Sequence, residues 1–431
     1  MRVSTGMIFD AGVSSINRQT AALLHLQQQV SSGRRILTPS EDPVAAARAL
    51  EVTQSSNVVA QFSQNQTYAT SALGLEEAQL TSVGDVLGRA RELAIQAGNT
   101  NLPATARKGI ATELRARFNE LIGIANAEDG TGQHIFAGFK GAVVPFGGSV
   151  ENILLGNEIV YQGDDGQRTM QVSPSRYIEV SDSGEDVFKR ISNGNGYFAA
   201  NYAAGNTGTG VVAAGSVTDS AAWSASTVKD VTINFTVTAG VTTYDLVNTT
   251  TGDSLLTGGP GPAPLANQRT YQSGQPIVLS FQPGEAFFDL GASTSVSGSP
   301  ANGDSFAIAP SGSQSIFATL AKLIGTLEAT TGTPAADAKY INDLGAALTN
   351  IDQASNNVLR VRAGIGSRMS EIESLGSLND SLNLQYQQTL SDLQDLDYAK
   401  AITDLTRKQT DLQAAQQSFA KISQLSLFSY L

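Results

Sequence analysis

Histidine, cysteine and clustered carboxylates do much of the chemistry in proteins, and this chain of 431 residues offers few of them. It has two histidines, His25 and His134, and no cysteine. The histidines lie in different segments. Neither sits in an HExxH or Cys/His context, so both read as non-catalytic rather than as parts of a metal centre or a triad. The lack of cysteine removes disulfides, thiolate metal sites and a cysteine nucleophile together. There is no GxSxG elbow and no Gly-Lys dipeptide, hence no serine-hydrolase turn and no P-loop. The strings "GNGYFA" (194–199) and "GTGVVA" (208–213) match a loose GxGxxA pattern. Neither opens a helix after a strand, so their glycines read as loop residues. Asp392, Asp395 and Asp397 cluster on a stretch that reads as helix, where carboxylates form a solvated face without the loop geometry calcium needs. On this reading there are no catalytic, cofactor-binding or metal-binding residues, and the chain is not an enzyme.

The whole chain sets further bounds. At ~150 residues per domain it holds about three units. Its 39 acidic residues against 27 basic ones give a net charge of −12, which argues against a nucleic-acid surface and favours weak self-repulsion. No apolar run reaches the ~18 residues of a membrane span. The opening "MRVSTGMIFDAG" lacks the apolar core and cleavage site of a secretory signal. The expectation is a cytoplasmic chain, or one that leaves by a route needing no cleaved signal.

The repeated pattern is apolar spacing at both ends. Residues 1–127 and 313–431 are rich in Gln, Ala, Leu, Arg and Glu, while the middle turns to Gly, Thr, Ser and Val. Ile16, Leu23 and Val30 lie seven apart, as do Leu405, Leu412 and Phe419. A longer seam steps by three and four through Ile341, Leu344, Leu348, Ile351, Ser355, Val358, Arg362, Ile365, Met369 and Ile372, and its phase shifts near Gly376. Leu80, Val83, Leu87, Ala90, Ala94 and Ala97 keep one register. After a break at "NTNLP" (99–103), Ala111, Leu114, Phe118, Leu121 and Ala125 keep another. Each stripe needs a partner helix, whether in a core or in an assembly.

The helix limits are marked. Gly33 ends the first helix, and Asp42 before Pro43 is an N-cap followed by proline at the first helical position. The middle reads as strands. "EIVYQGDDGQRTMQV" (158–172) is expected to be a hairpin turning at Asp165-Gly166. Val231, Ile233, Phe235 and Val237 alternate to one face, and 275–290 and 303–311 continue the pattern. The expected fold class is therefore α+β: a long antiparallel coiled-coil bundle built from both chain ends, with an antiparallel β domain inserted at about 200–305. The last residues, "QLSLFSYL" (424–431), are apolar with no charge after Lys421. They are expected to be covered on assembly, together with Ile422, Leu425, Leu427, Phe428 and Leu431 as members of the seam.

"SSGRRILTPSEDPVAAARAL" (31–50), "HIFAGF" (134–139), "LNLQYQQTLSDLQDLDYAKAI" (382–402) and "LQAAQQSFAKISQLSLFSYL" (412–431) resemble the flagellar hook-associated protein 3 family, the FlgL-type relatives of flagellin. The resemblance covers roughly 1–180 and 313–431. It implies a structural role at the junction between hook and filament of the bacterial flagellum, as a ring of identical subunits. The implied partners are the first hook-associated protein, flagellin and a cytoplasmic export chaperone, with no nucleic acid and no membrane. It also implies export through the flagellum's own type III apparatus to an extracellular position, and no cofactor. The domains it implies are 1–42 with 385–431 as a terminal coiled coil, 43–195 with 306–384 as a helical layer, and 196–305 as an outward insert. A flagellin-type filament subunit, a scaffolded enzyme and an adhesin are the competing readings.

Overall fold

The structure is a computed structural model describing residues 5–99, 102–329 and 331–425, with side chains described at 7, 9–99, 102–329 and 331–421. The described helices are α1 (Thr5–Ser32), α2 (Pro43–Ala97), α3 (Ala104–Ala125), α4 (Val150–Leu154), α5 (Gly184–Phe188), α6 (Ser220–Ala225), α7 (Ile316–Glu328), α8 (Pro334–Gln394) and α9 (Tyr398–Leu425). The chain divides into two compact units. One comprises residues 1–67, 171–176 and 372–431, the other 68–170 and 177–371.

The first unit is helical. α1 packs antiparallel against α9, as the Phe9–Phe419 ring contact near the outer ends and the bridge from Arg34 to Asp395 at the inner ends show. The first part of α2 runs beside the last part of α8, where the Ser56 hydroxyl donates to Asn383. The Asn65 and Gln66 amides donate to the carbonyls of Gln171 and Val172, fixing a short extended segment on α2.

The second unit has a helical half whose stripes follow the sequence. Leu80, Val83, Leu87, Ala90, Ala94 and Ala97 on α2 are buried, as are Ala111, Leu114, Phe118, Leu121 and Ala125 on α3. α8 departs from the expected seam: Ile341 is exposed and Met369 only half-buried. The column Leu344, Ile351, Val358, Ile365 and Ile372 is buried throughout, one residue in every seven. Its companion column is Ala347, Ala354 and Val361, not Leu348, Ser355 and Arg362. Small side chains let α8 lie close to its neighbours, and the polar residues turn outward, with Arg362 paired to Glu77 at 2.7 Å. The seam shows no phase shift at Gly376, because the buried column continues from Ile372 to Asn379.

Of "HIFAGF", residues 134–138 are buried in this half and Phe139 is exposed. Phe136, Phe146, Phe188 and Phe317 form a ring cluster with centroids 5.1–5.9 Å apart, and Phe118 joins it from α3. Gly138 has a φ of +69°, and a Cβ there would lie 2.2 Å from Asp164 Oδ1, so only glycine fits. That close approach explains why the expected hairpin at 158–172 does not form. Asp164 turns to accept from the Phe139 and Gly166 amides, pulling the chain out of line. Val160–Tyr161 pairs instead with Phe146–Gly147, and Thr169–Ser173 with Arg176–Glu179.

The β portion is two antiparallel sheets. The larger is ordered Arg269–Thr270, Val241–Asn248, Val231–Thr238, Ser305–Pro310, Phe198–Tyr202. The smaller joins Pro276–Ser280, Asp289–Ser297 and Val211–Val212, with Ser216–Val217 also on Asp289–Ser297. Val231, Ile233 and Phe235 fill the core with Leu246, Leu279, Leu290, Phe306 and Trp223, whereas Val237 is half-buried. Ala239 and Gly240 both take positive φ, which gives the two-residue turn whose twist suits a hairpin. The strand Ser305–Pro310 pairs on both edges, so the sheet carries on past residue 305 to Pro310.

One buried carboxyl in this unit has a measurable consequence. Glu76 is fully buried, with Oε1 accepting from the Asp182 amide and Oε2 without a hydrogen-bond partner. Burial, then the negative charge of Asp182, pushes its carboxyl from about 4.5 up to about 8, against the pull of Arg368 and Arg168. Between those values the folded chain holds one proton that the unfolded chain has released, so this group's contribution to stability falls as pH rises through the window. Glu76→Gln should flatten that slope and raise the melting temperature more at pH 8 than at pH 5. Thermal melts at the two pH values check it, and an unchanged slope would remove Glu76 as the source.

Candidate functional site

The described seam residues expected from the sequence lie on α1 and α9 of the first unit. Ile16, Leu23 and Val30 on α1 and Leu405, Leu412 and Phe419 on α9 are each half-buried. Phe419 lies over Gly12, where a Cβ would stand 2.7 Å from its ring, and contacts Phe9 at 4.9 Å. Two helices alone cannot enclose side chains, and the burial shows it. Among the described residues of α1 and α9 only Ala401 is fully buried. Phe9 is 51% exposed, Leu24 54% and Ile402 53%, with Met7, Val13 and Tyr398 also exposed. The side chains of Ile422 and Leu425, and the whole of Leu427, Phe428 and Leu431, lie outside the described residues.

The inner end of this pair is a joint in which both helical runs break at one level. Gly33, with φ +71°, ends α1, and its amide donates to the Gln29 carbonyl. The Arg35 amide donates to the Gln394 carbonyl at 2.7 Å, and the Leu396 amide to the Gly33 carbonyl at 2.9 Å. The Arg35 guanidinium reaches the Leu393 carbonyl at 2.8 Å. A Cβ on Gly33 would meet the Tyr398 hydroxyl at 2.9 Å. Two aspartates restart the helices. Asp42 Oδ1 accepts from the Ala45 amide at 3.0 Å with Pro43 at the first helical position, and Asp397 Oδ1 accepts from the Lys400 amide at 3.1 Å. Glu41 accepts from the Leu37 amide and faces His25 at 3.2 Å, and both contacts lower its carboxyl's pKa.

The sequence located Asp42, Pro43 and Gly33 but not the second cap. Asp395 and Asp397 are not on a continuous helical face: α8 ends at Gln394 and α9 starts at Tyr398. The local cue is only that aspartate is a favoured N-cap type, with no glycine or proline to mark the break.

The chemistry-bearing residues take structural posts. His134 is buried with Nδ1 2.7 Å from the Asn126 carbonyl. Gly194 and Gly196 hold positive φ in a loop closed by Asn195, which accepts from the Tyr197 and Phe198 amides. Among the described residues no group of His, Asp or Glu could hold a metal ion, and no helix is long and apolar enough to cross a membrane.

Comparison with known proteins agrees with this geometry. The bacterial flagellin N-terminal helical region matches residues 3–140, and the bacterial flagellin C-terminal helical region matches 348–431. Flagellar hook-associated protein 3 of Escherichia coli is 25% identical over 437 residues, covering 99% of each chain. That of Salmonella typhimurium is 32% identical over 193 residues, a stretch spanning 45% of this chain and 58% of the relative. Two crystal structures from Legionella pneumophila, of flagellar hook associated protein-3 and of the flagellar junction protein FlgL, are each 32% identical. Their TM-scores are 0.70 and 0.69; the matches cover 98% and 100% of those chains and 79% and 81% of this one.

The joint yields two expected outcomes. Asp42→Ala should cost about 1 kcal/mol by leaving the first amides of α2 unsatisfied. Gly33→Ala should cost at least as much, because its φ is strained for alanine and its Cβ meets Tyr398. Urea unfolding followed by helical circular dichroism reads both, and a neutral Gly33→Ala would mean that the two breaks are not packed together.

Proposed function

The chain belongs to the flagellar hook-associated protein 3 family, structural proteins of the hook–filament junction, and we propose that it joins hook to filament through its half-covered α1/α9 pair. The observation that carries this reading is the burial of the seam. Full burial of a leucine, isoleucine or phenylalanine side chain contributes roughly 1.5–3 kcal/mol. Six described seam residues are half-buried, and Met7, Phe9, Leu24 and Ile402 are exposed. The single chain leaves much of that energy unrealised. Covering these side chains in an assembly is of the right order to offset an association cost of about 4–15 kcal/mol.

On this reading identical subunits cover one another's seams in a ring. The ring sits on the first hook-associated protein and carries flagellin above. Ile422, Leu425, Leu427, Phe428 and Leu431 extend the same seam. An export chaperone shields it beforehand, and the acidic chain resists premature association. Residues 1–42 with 385–431 form the inner layer, 43–195 with 306–384 the next, and the insert at 196–305 faces outward. Export runs through the flagellum's own apparatus to the extracellular side, a passage to which a chain without cysteine brings no cross-link. No catalytic activity is proposed. A flagellin-type filament subunit is the less supported reading, because the relative aligned along 99% of this chain is a hook-associated protein.

Loss of the gene should leave hooks without filaments, with flagellin released to the medium. Chains carrying Leu23→Asp or Leu412→Asp should fold with an unchanged melting transition for the larger unit yet fail to restore filaments. Electron microscopy and calorimetry check the pair of outcomes, and normal filaments on either variant would overturn the role given to the seam.

A further inference from the structure

A cleft of about 660 Å³ opens in the second unit between α7, α8 and the two sheets. That is far more than the roughly 10–15 Å³ one water needs, so its walls stand apart. The helical wall needs nothing from the sheets. Lys339 pairs with Asp343 on α8, and Lys322 Nζ lies 3.5 Å from Gln314 Oε1. The hydroxyls of Thr319, Thr326 and Thr349 donate to the carbonyls of Ser315, Lys322 and Gly345, one turn back in their own helices. The sheet wall facing them presents Ala199, Ala200 and Ala213.

One side chain crosses. Asn342 is buried on α8; its Oδ1 accepts from the Val212 amide at 2.8 Å, and its Nδ2 donates to the Gly210 carbonyl at 3.0 Å. Among the described residues these are the only hydrogen bonds from the strands at 198–310 to α7 or α8. The same Nδ2 keeps a bond to the Ala338 carbonyl at 2.8 Å, within α8. Were Asn342 to let go, water entering the cleft would replace both crossing bonds, and no polar group would be left buried without a partner.

The chain enters and leaves the sheets through a two-stranded neck. Ile191–Ser192 pairs with Ser313–Gln314, the Asn193 amide donates to the Gly312 carbonyl, and Phe198 stands opposite Pro310. Between these pairings residues 194–197 face Ser311 alone, and Gly194 and Gly196 hold positive φ there. Asn350 Oδ1 accepts from the Gly194 amide at 2.8 Å, which ties the neck to α8. Asn342 lies eight residues before Asn350, about 12 Å along the helix. One asparagine holds the neck and the other holds the far side of the cleft.

We propose that the two sheets are a hinged body that turns on the neck at 193–197 and 311–312, with Asn342 as the latch that sets its angle to α8. The neck glycines absorb the change in backbone angle, as hinge residues do. The turn leaves α7 and α8 undisturbed, because their polar groups are satisfied among themselves. The latch acts within one chain and does not depend on the junction role.

The lack of cysteine makes the test clean. Ser224→Cys on α6 and Thr112→Cys on α3, both at exposed positions, carry spin labels on the full chain. Pulsed electron resonance should give one narrow distance distribution for this pair. Adding Asn342→Leu should bring in a second population, with an open fraction at least about tenfold higher. Protection from hydrogen exchange at Val231–Thr238 should stay as in the parent, since the sheets turn as a body. A second measurement needs no variant and decides the matter if Asn342→Leu does not fold. In the parent the Val212 amide should exchange at a rate little changed by low urea, because opening the latch exposes little surface, while exchange at Val231–Thr238 rises steeply with urea. The proposal falls if Asn342→Leu leaves the distances as they were, if the parent distribution is already broad, or if the variant loses protection at Val231–Thr238. It falls equally if Val212 follows urea as steeply as the central strand.

Discussion

The pairing of α1 with α9 is the constraint on which the rest of this molecule depends, because it requires residues 5–32 to meet residues 398–425. Such a closure looks expensive, yet its entropy grows only with the logarithm of the intervening length, about 0.6 kcal/mol for each doubling. Inserting a β region between α5 and α7 therefore adds little to the cost of bringing the ends together. What must be preserved is the register of the helices. That explains a chain with long, regular heptads at both ends and a middle that follows its own alternating pattern.

Burial along the helices follows the number of neighbours each one has. In the larger unit α8 is flanked on several sides, and Leu344, Ile351, Val358 and Ile365 are fully enclosed. In the terminal pair each helix has one neighbour, and the same spacing leaves leucines half-covered. The difference is geometric rather than compositional. A two-helix interface holds a seam, while a core needs a third element to close it. Asn379 occupies the heptad position after Ile372, buried with its amide nitrogen unpartnered. An asparagine at such a position weakens a seam and fixes its register, since a slip would bury the amide against other apolar residues.

The periodic parts of this fold were legible because period carries its own evidence. Every residue in the α2 and α3 stripes is buried as its spacing implies. Structure and spacing part where a small or polar residue is placed by its surroundings. Ala347 and Ala354 do not advertise a core position, so the eye goes to Leu348 instead, one residue along. Asp165-Gly166 carries the dipeptide of a tight hairpin, but Gly138 and Asp164 claim the same turn for a contact with a distant segment. The six residues Ile16, Leu23, Val30, Leu405, Leu412 and Phe419, picked out by spacing, are half-buried. Buried Glu76 could not be picked out that way, because its burial depends on which segments the fold brings beside it.

The joint shows why two breaks are better than one. If α1–α2 bent while α8–α9 stayed straight, the two antiparallel runs would separate at the bend and lose their seam beyond it. Both runs break at the same level here, and backbone hydrogen bonds cross between the breaks at Arg35 and Leu396. Each break ends one helix and caps the next, so orphan amides on α2 and α9 are satisfied by Asp42 and Asp397. A side chain at Gly33 would meet the Tyr398 hydroxyl as well as a strained φ. The helices can therefore change direction together without giving up their contact, and the half-covered seam beyond the joint keeps its register.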